Sequence, residues 1–350
     1  MTKFWEQLTN TNKAYVIAEA GVNHLGSLEL GERLIKEASL AGADSIKFQS
    51  YKAANLTTKN APRFWDWEGE INTQGSQFDS YSLLDSFGYE EHKKLKRLCT
   101  KYDIEYLSTP FDEEAADYLE KLDIPAFKIA SCDITNLPFL EYVSHKRKTM
   151  LLSTGASTIE EIQEAVSVIE NSGNFEVVIM HCNLCYPTEA KDSQLNAIKH
   201  LQKEFPNYPI GLSDHTLGIH APAFARALGA ILFEKHYTVD KTLGKSADHW
   251  LSGDPPELKS MIKQIRLCEE MLGTQYKKVG ESEIKARNYA RRSIVSAKKL
   301  TKGTILSNDH LTFKRPGTGI SPKFFKSLIG ATVNQDLDED EIFDWSMIES

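Results

Sequence analysis

Two short runs carry the residue types from which a metal site can be built: Ser213-Asp214-His215-Thr216 and Glu234-Lys235-His236-Tyr237. Each closes a stretch that reads as a buried strand. Neighbouring strand ends in a barrel lie close together, so His215 and His236 could share one divalent cation through their ring nitrogens. A two-imidazole site with open positions suits Mn²⁺, Zn²⁺ or Fe²⁺, and the spacing does not choose among them. For either histidine alone the ordinary reading is a neutral side chain held by a hydrogen bond. A second set is cationic and hydroxylic. Lys47, Lys128, Thr109, Ser131, Ser153 and Ser213 fall at or near the ends of further apolar runs. Lysine supplies point charge and hydroxyls donate hydrogen bonds, so such a ring could hold a phosphate or a carboxylate. The competing reading pairs both lysines with Glu19 and Glu234 as ion pairs, an arrangement that is costly to bury without a function.

Other motifs say less. Cys182 and Cys185 form a CxxC, but one pair within an apparent buried strand reads first as packing, and five cysteines in a long chain read as reduced thiols. Gly21-Val22-Asn23-His24-Leu25-Gly26 lacks the GxGxxG spacing of a dinucleotide loop. Lys314-Arg315-Pro316-Gly317-Thr318-Gly319 is a basic turn, a solvated loop by default, although glycines beside an arginine also allow close approach to an anion.

These residues must be positioned by strands. Continuous apolar runs at Tyr15–Ala20, Ser45–Gln49, Ile104–Ser108, Ala126–Ser131, Thr149–Thr154, Val177–Asn183, Ile210–Asp214 and Ile231–Tyr237 read as strands buried on both faces. Amphipathic stretches at 28–41, 89–101, 112–122, 158–171, 218–228 and 255–272 read as the helices between and after them. Eight such units fit a (β/α)8 TIM barrel, an α/β fold that keeps its chemistry at the carboxyl ends of its strands; a doubly wound open sheet is the alternative. The barrel is expected over residues 1–273, a charged linker over 274–290 and a small, mostly β module over 291–350, too small to be very stable alone and therefore expected to dock on a barrel. Residues 52–87 form an aromatic-rich insertion (Phe64, Trp65, Trp67, Phe78, Tyr81, Phe87), expected to be a lid or a packing surface.

With 350 residues, 41% hydrophobic and 26% charged, the chain has the composition of a globular protein, and its net charge of −8 argues against a non-specific nucleic-acid or membrane-surface binder. No apolar run reaches the roughly 20 residues a membrane span needs. The opening Met1-Thr2-Lys3-Phe4-Trp5-Glu6 has no apolar signal core, so a cytoplasmic location is expected.

Taken in order, Ile17-Ala18-Glu19-Ala20-Gly21-Val22-Asn23-His24, Ile46-Lys47-Phe48-Gln49, Leu107-Ser108-Thr109-Pro110-Phe111-Asp112, Phe127-Lys128-Ile129-Ala130-Ser131, Leu152-Ser153-Thr154-Gly155 and Tyr186-Pro187 resemble the sialic acid synthase family. Gly211-Leu212-Ser213-Asp214-His215-Thr216, Glu234-Lys235-His236-Tyr237 and Lys314-Arg315-Pro316-Gly317 continue the match, from about residue 14 to the end. The resemblance implies a barrel followed by an antifreeze-like (SAF) domain in a domain-swapped homodimer. It also implies condensation of phosphoenolpyruvate with an N-acylated mannosamine-type amino sugar and water, giving a nine-carbon 2-keto-3-deoxy acid and phosphate. Carried over by motif, His215 and His236 look like ligands of Mn²⁺, with Mg²⁺ or Co²⁺ as alternatives. Lys47, Thr109, Lys128, Ser131, Ser153 and Ser213 look like the phosphoenolpyruvate cradle, and Gln49, Asp133, Tyr186 and Asp248 like sugar contacts. Glu19 is the candidate acid/base or water-positioning group, and Arg315 would reach the sugar in the partner's barrel. The sequence departs from the family pattern twice. Asp133 stands where glutamate is common, and in His181-Cys182-Asn183-Leu184-Cys185-Tyr186 the usual Asn or Ser contact falls on Leu184, while Asn183 would face the other side of a regular strand. The rivals are a phosphoenolpyruvate–aldose synthase acting on a phosphorylated sugar, which would need a second basic cluster, and a carbohydrate-binding relative without turnover.

Overall fold

The computed structural model describes residues 1–65, 75–243 and 248–349. It divides into two compact units, Met1–Gly273 and Thr274–Ser350. In the first, eight strands form one sheet: β1 (Tyr15–Gly21), β2 (Ser45–Ser50), β3 (Glu105–Pro110), β4 (Ala126–Ile129), β5 (Thr149–Ser153), β6 (Val177–Cys182), β7 (Ile210–Asp214) and β8 (Leu232–His236). Their order is β3-β2-β1-β8-β7-β6-β5-β4, each hydrogen-bonded pair is parallel, and β3 packs on β4 across the remaining seam. This is the TIM barrel expected from the eight apolar runs. The strands are buried almost throughout because helices cover their outer face while side chains fill the inside.

The alternation along each strand explains where the polar groups go. Val16, Ala18 and Ala20 join the outer core with Leu34, Ile35 and Ala38 of the helix Leu28–Ala41. Tyr15, Ile17, Leu107, Leu151, Val178, Met180 and Leu232 pack together as the inner core. Two residues further along the same inward rows come Glu19, Thr109, Ser153 and Glu234. The barrel interior is thus apolar at its amino end and polar at its carboxyl end. Phe4 and Leu8 of the helix Lys3–Thr9 close the apolar end, and Thr2 ties that helix to Glu176 and Thr149 through hydrogen bonds of 2.6–2.8 Å. Phe4→Ala should therefore open a cavity beneath the site, costing about 3–5 kcal/mol, measurable as a lowered barrel unfolding midpoint with little change in any substrate KM.

The helix ends follow their local chemistry. Ser27, Asp112, Thr158 and Asp254 each accept a backbone N–H as N-caps, and Gly42, at φ 91°, ends Leu28–Ala41 in the left-handed conformation that glycine adopts without a Cβ penalty. Boundaries differ from the sequence expectation where turns begin early. β4 stops at Ile129, so Ser131 and Asp133 lie in a 3₁₀ turn, Ser131–Asp133, and β6 stops at Cys182, so Asn183 is outside it. Of the CxxC, only Cys182 is in a buried strand; Cys185 is exposed, so the packing reading fails for it.

In the second unit β9 (Ser293–Ser296) and β10 (Leu311–Lys314) pair antiparallel, joined by isolated bridges such as Val295 to Ile342. The rest is short turns around a small core that includes Ile294, Leu306, Val333 and Phe343. Residues 274–290, expected as a bare linker, contain the helix Glu281–Tyr289, none of whose residues is buried.

Candidate active site

The carboxyl ends of the strands open into a cavity of about 400 Å³. Its floor is a ring of buried charges. Lys47 Nζ lies 2.6 Å from Glu19 Oε2 and 3.7 Å from Glu234 Oε2, and Lys128 Nζ lies 3.8 Å from Glu234 Oε1. Strand register makes this possible, since Glu19 of β1 stands beside Lys47 of β2 on one side and beside His236 of β8 on the other. Lys47 also donates to Thr109 Oγ1 at 2.9 Å, Ser213 to Glu234 Oε1 at 3.0 Å and Gln49 Nε2 to Glu19 Oε1 at 3.1 Å. The ion-pair reading of the two lysines therefore holds, and the paired lysines also line the cavity.

Burial sets the protonation chemistry. It pushes the Glu19 carboxyl up to about 7, against the pull of Lys47, with the charge of Glu234 adding to the rise. Burial acts upward on Glu234 too, but Lys128, Lys47 and the Ser213 hydroxyl outweigh it and hold that carboxyl below its ordinary range. Two carboxylates sharing one lysine are thus driven apart, one titrating near neutrality and the other firmly ionised. Asp133 and Asp248 are also raised by burial, each to about 6.

His215 and His236 face each other at the cavity with ring centroids 5.1 Å apart. His215 Nδ1 is 2.7 Å from the main-chain oxygen of Asn183, so Nδ1 carries the proton and Nε2 is left as a lone-pair donor. His236 Nδ1 is buried without a hydrogen-bond partner, 3.6 Å from Asp248 Oδ2, and burial together with the positive groups around it keeps this ring neutral. Tyr186 stacks against His215 at 4.1 Å and meets His236 edge-on at 5.7 Å. Burial pushes His215 down, but Cys182 and the Asn183 carbonyl outweigh it and hold that ring above its ordinary value; two imidazoles facing one another at the cavity still fit a divalent cation. Among the described residues no group of three or more His, Cys, Asp and Glu adds to them as a ready-made cage.

Every barrel residue expected at the site lines this cavity. Glu19, Lys47, Gln49, Thr109, Lys128 and Ser131 do so from β1 to the turn after β4; Asp133, Ser153, Tyr186, Ser213, His215, His236 and Asp248 complete the wall. Arg315 belongs to the second unit, in the turn after β10.

A family model described as the NeuB family matches residues 34–277. The chain belongs to the NeuB family. A SAF domain model matches residues 291–349. An uncharacterized protein of Methanocaldococcus jannaschii is 44% identical over 95% of this chain and 93% of its own. The N,N'-diacetyllegionaminic acid synthase of Campylobacter jejuni is 39% identical over 94% and 98%. A crystal structure of the N-acetylneuraminic acid synthetase of Leptospira borgpetersenii aligns with a TM-score of 0.71 and 34% identity, over 79% of this chain and 93% of that one. Within the NeuB family, curated relatives along nearly the whole chain are synthases, so the protein is read as an enzyme.

Three residues gain meaning beside the NeuB motifs. Leu184, at the position where the sequence departs from the usual pattern, lines the cavity. Asn183 turns its side chain away, Nδ2 donating to the Asp192 carbonyl at 3.0 Å, while its own carbonyl orients His215. Glu234, weighed as an ion-pair partner of the lysines and not among the expected site residues, is the hub that joins both lysines and Ser213. The signal for it was present: Glu234 is two residues before His236 on one strand, hence on the same face. The aromatic insertion divides. Phe64, Trp65 and Tyr81 line the cavity, whereas Phe87 is buried against His24, ring centroids 4.0 Å apart. Trp67 lies outside the described residues.

Proposed function

We propose that this protein condenses phosphoenolpyruvate with an N-acetylmannosamine-type 2-acetamido sugar and water, releasing phosphate and a nine-carbon 2-keto-3-deoxy acid. The observation that carries the proposal is the meeting, in one cavity, of two facing imidazoles with a lysine–hydroxyl ring and the carboxyl of Glu19. Lys47 and Lys128 offset the charge of phosphoenolpyruvate, while Thr109, Ser131, Ser153 and Ser213 offer hydroxyls to its oxygens. His215 and His236 would hold a divalent metal, most simply Mn²⁺, which when bound supplies Lewis-acid polarisation of the sugar's aldehyde. Gln49, Asp133, Tyr186 and Asp248 orient the open-chain sugar so that its aldehyde carbon meets carbon 3 of the enol. As that carbon–carbon bond forms, carbon 2 becomes electron-poor and takes up water, and Glu19 is placed to accept the proton. Phosphate then leaves by carbon–oxygen cleavage, completing the keto acid.

Synthases that use a phosphorylated aldose would need a second basic cluster, and among the described residues Lys47 and Lys128 are the cations that line the cavity. A silent sugar-binding relative would have no need of a lysine–carboxylate cluster this costly to bury. The deciding measurement is phosphate release by metal-loaded protein given phosphoenolpyruvate and a panel of 2-acetamido and 2,4-diacetamido hexoses; silence across the panel overturns the proposal. We further propose a cytoplasmic homodimer in which Arg315 of one subunit serves the barrel of the other. Arg315→Ala should lower kcat/KM by about a hundredfold or more, the scale of losing one charge-bearing donor at a reacting centre, with metal content unchanged; wild-type kinetics would remove Arg315 from the site.

A further inference from the structure

We propose that the buried ion pair of Asp214 with Lys235 is a positioning pair: it fixes the spacing of His215 and His236 from behind and so sets the affinity with which the two imidazoles hold a divalent cation. This rests on the reading of those histidines as a metal pair, and it concerns residues that touch neither cation nor substrate. The register of β7 and β8 pairs Ser213 with Glu234 and Asp214 with Lys235, and each histidine is the next residue along. Successive side chains of a strand alternate between its faces. Ser213 and Glu234 therefore meet inside the barrel, at 3.0 Å, and the two histidine rings meet inside it two residues further on. Between these inward rungs Asp214 and Lys235 point the other way. Lys235 Nζ lies 2.8 Å from Asp214 Oδ2, both side chains are buried, and neither residue is among those lining the cavity.

The pair also grips the backbone on the far side of His215. Asp214 Oδ1 accepts the Thr216 N–H at 2.9 Å, and Lys235 Nζ donates to the Thr216 carbonyl. His215 is thus bracketed by two residues that share one network. The Thr188 N–H donates to the His215 carbonyl at 2.9 Å, and the Gly253 N–H donates to the His236 carbonyl at 2.8 Å. The rings themselves are joined by no hydrogen bond: His215 Nδ1 turns to the Asn183 carbonyl, and His236 Nδ1 has no partner. Their spacing comes from the two main chains, and the adjoining link between those chains is Asp214 with Lys235. Stability alone does not account for an ion pair here. A buried pair must recover the cost of desolvating both charges, and apolar side chains of similar volume often serve a fold equally well. What apolar side chains would not supply is direction, because Lys235 Nζ must stay near two fixed oxygens, Asp214 Oδ2 and the Thr216 carbonyl. A metal site depends on such direction: groups behind the ligands orient them, and losing those groups typically weakens binding by about 10–100-fold.

The test is Mn²⁺ titration of the full-length protein, bound metal being followed by electron paramagnetic resonance, for the wild type, Asp214→Asn/Lys235→Met and Phe4→Ala. The paired variant removes both charges at once, so no lone charge is left buried, and its asparagine can still accept the Thr216 N–H. Its Mn²⁺ dissociation constant should rise by about 10–100-fold, with an altered spectrum of the bound ion. The unfolding midpoint of the metal-free paired variant should stay near that of the wild type. Phe4→Ala, at the opposite end of the barrel, should do the reverse, lowering the midpoint and leaving Mn²⁺ affinity in place. That contrast separates positioning from plain loss of stability. Wild-type Mn²⁺ affinity in the paired variant overturns the proposal and leaves the metal reading standing, and so does an equal weakening by Phe4→Ala. A paired variant that does not fold without metal assigns the pair to stability and overturns the proposal in the same way. A wild-type protein that binds no Mn²⁺ overturns the metal reading and, with it, this assignment.

Discussion

Lys47→Met is expected to abolish turnover and to destabilise the barrel by about 3–5 kcal/mol, the cost of removing one partner from a buried ion pair. Lys47 is almost wholly buried, and it is the group nearest Glu19, at 2.6 Å, as well as a partner of Glu234 and Thr109. Methionine fills much of the volume but leaves Glu19 facing a second carboxylate with nothing between them. Burial already holds Glu19 near neutrality with Lys47 present, so without the lysine this carboxyl will take up a proton at pH 7, which limits the penalty. The paired variant Lys47→Met/Glu19→Gln should regain part of the lost stability, because a neutral amide spares the cost of protonating the buried carboxyl, while remaining inactive. Chemical denaturation of the wild type, both single variants and the pair yields the coupling energy directly. Additive effects would mean that the lysine and the glutamate do not act as a unit.

His236→Ala should lose bound metal and activity together, with turnover falling by at least about a thousandfold, the upper range for losing one preorganised electrostatic contributor. The ring is buried, neutral and without a hydrogen-bond partner at Nδ1, so its removal deletes a lone pair that the fold keeps unprotonated. It deletes no strut: the neighbouring ion pair of Lys235 with Asp214, at 2.8 Å and buried, still ties the ends of β7 and β8 together. The unfolding midpoint should therefore move far less than the metal content. Metal analysis after gel filtration, with Mn²⁺ titration followed by electron paramagnetic resonance, checks this without relying on turnover. Undiminished metal content in the variant would discredit His236 as a ligand.

The fold was legible because both of its signals are local. Buried parallel strands leave continuous apolar runs, and helices such as Leu28–Ala41 and Pro255–Leu272 begin at side-chain caps and end near glycine. Much of the site was legible for a related reason: in a barrel, a polar residue ending an apolar run has one place to point. What escaped depends on which residues meet across strands. Glu234 and Lys47 are distant in sequence; their pairing was legible as the competing reading, but not that Glu234 also takes in Ser213, which the register of β7 beside β8 brings to 3.0 Å. The insertion escaped in part because composition cannot separate an aromatic ring that faces a ligand, such as Tyr81, from one that packs on a core histidine, such as Phe87. In the second unit, short bridges and turns carry no periodicity, so its β character was legible only as short apolar runs between glycines, which the structure forms into β9, β10 and isolated bridges.

The tether that orients His215 runs to the carbonyl of Asn183, not to a side chain. An amide oxygen is common to all twenty residues, so drift at codon 183 leaves the imidazole's tautomer intact provided the chain leaves β6 along the same path. Saturation mutagenesis should find this site permissive although it touches His215, with proline and deletions, which reroute the backbone, as the intolerant exceptions.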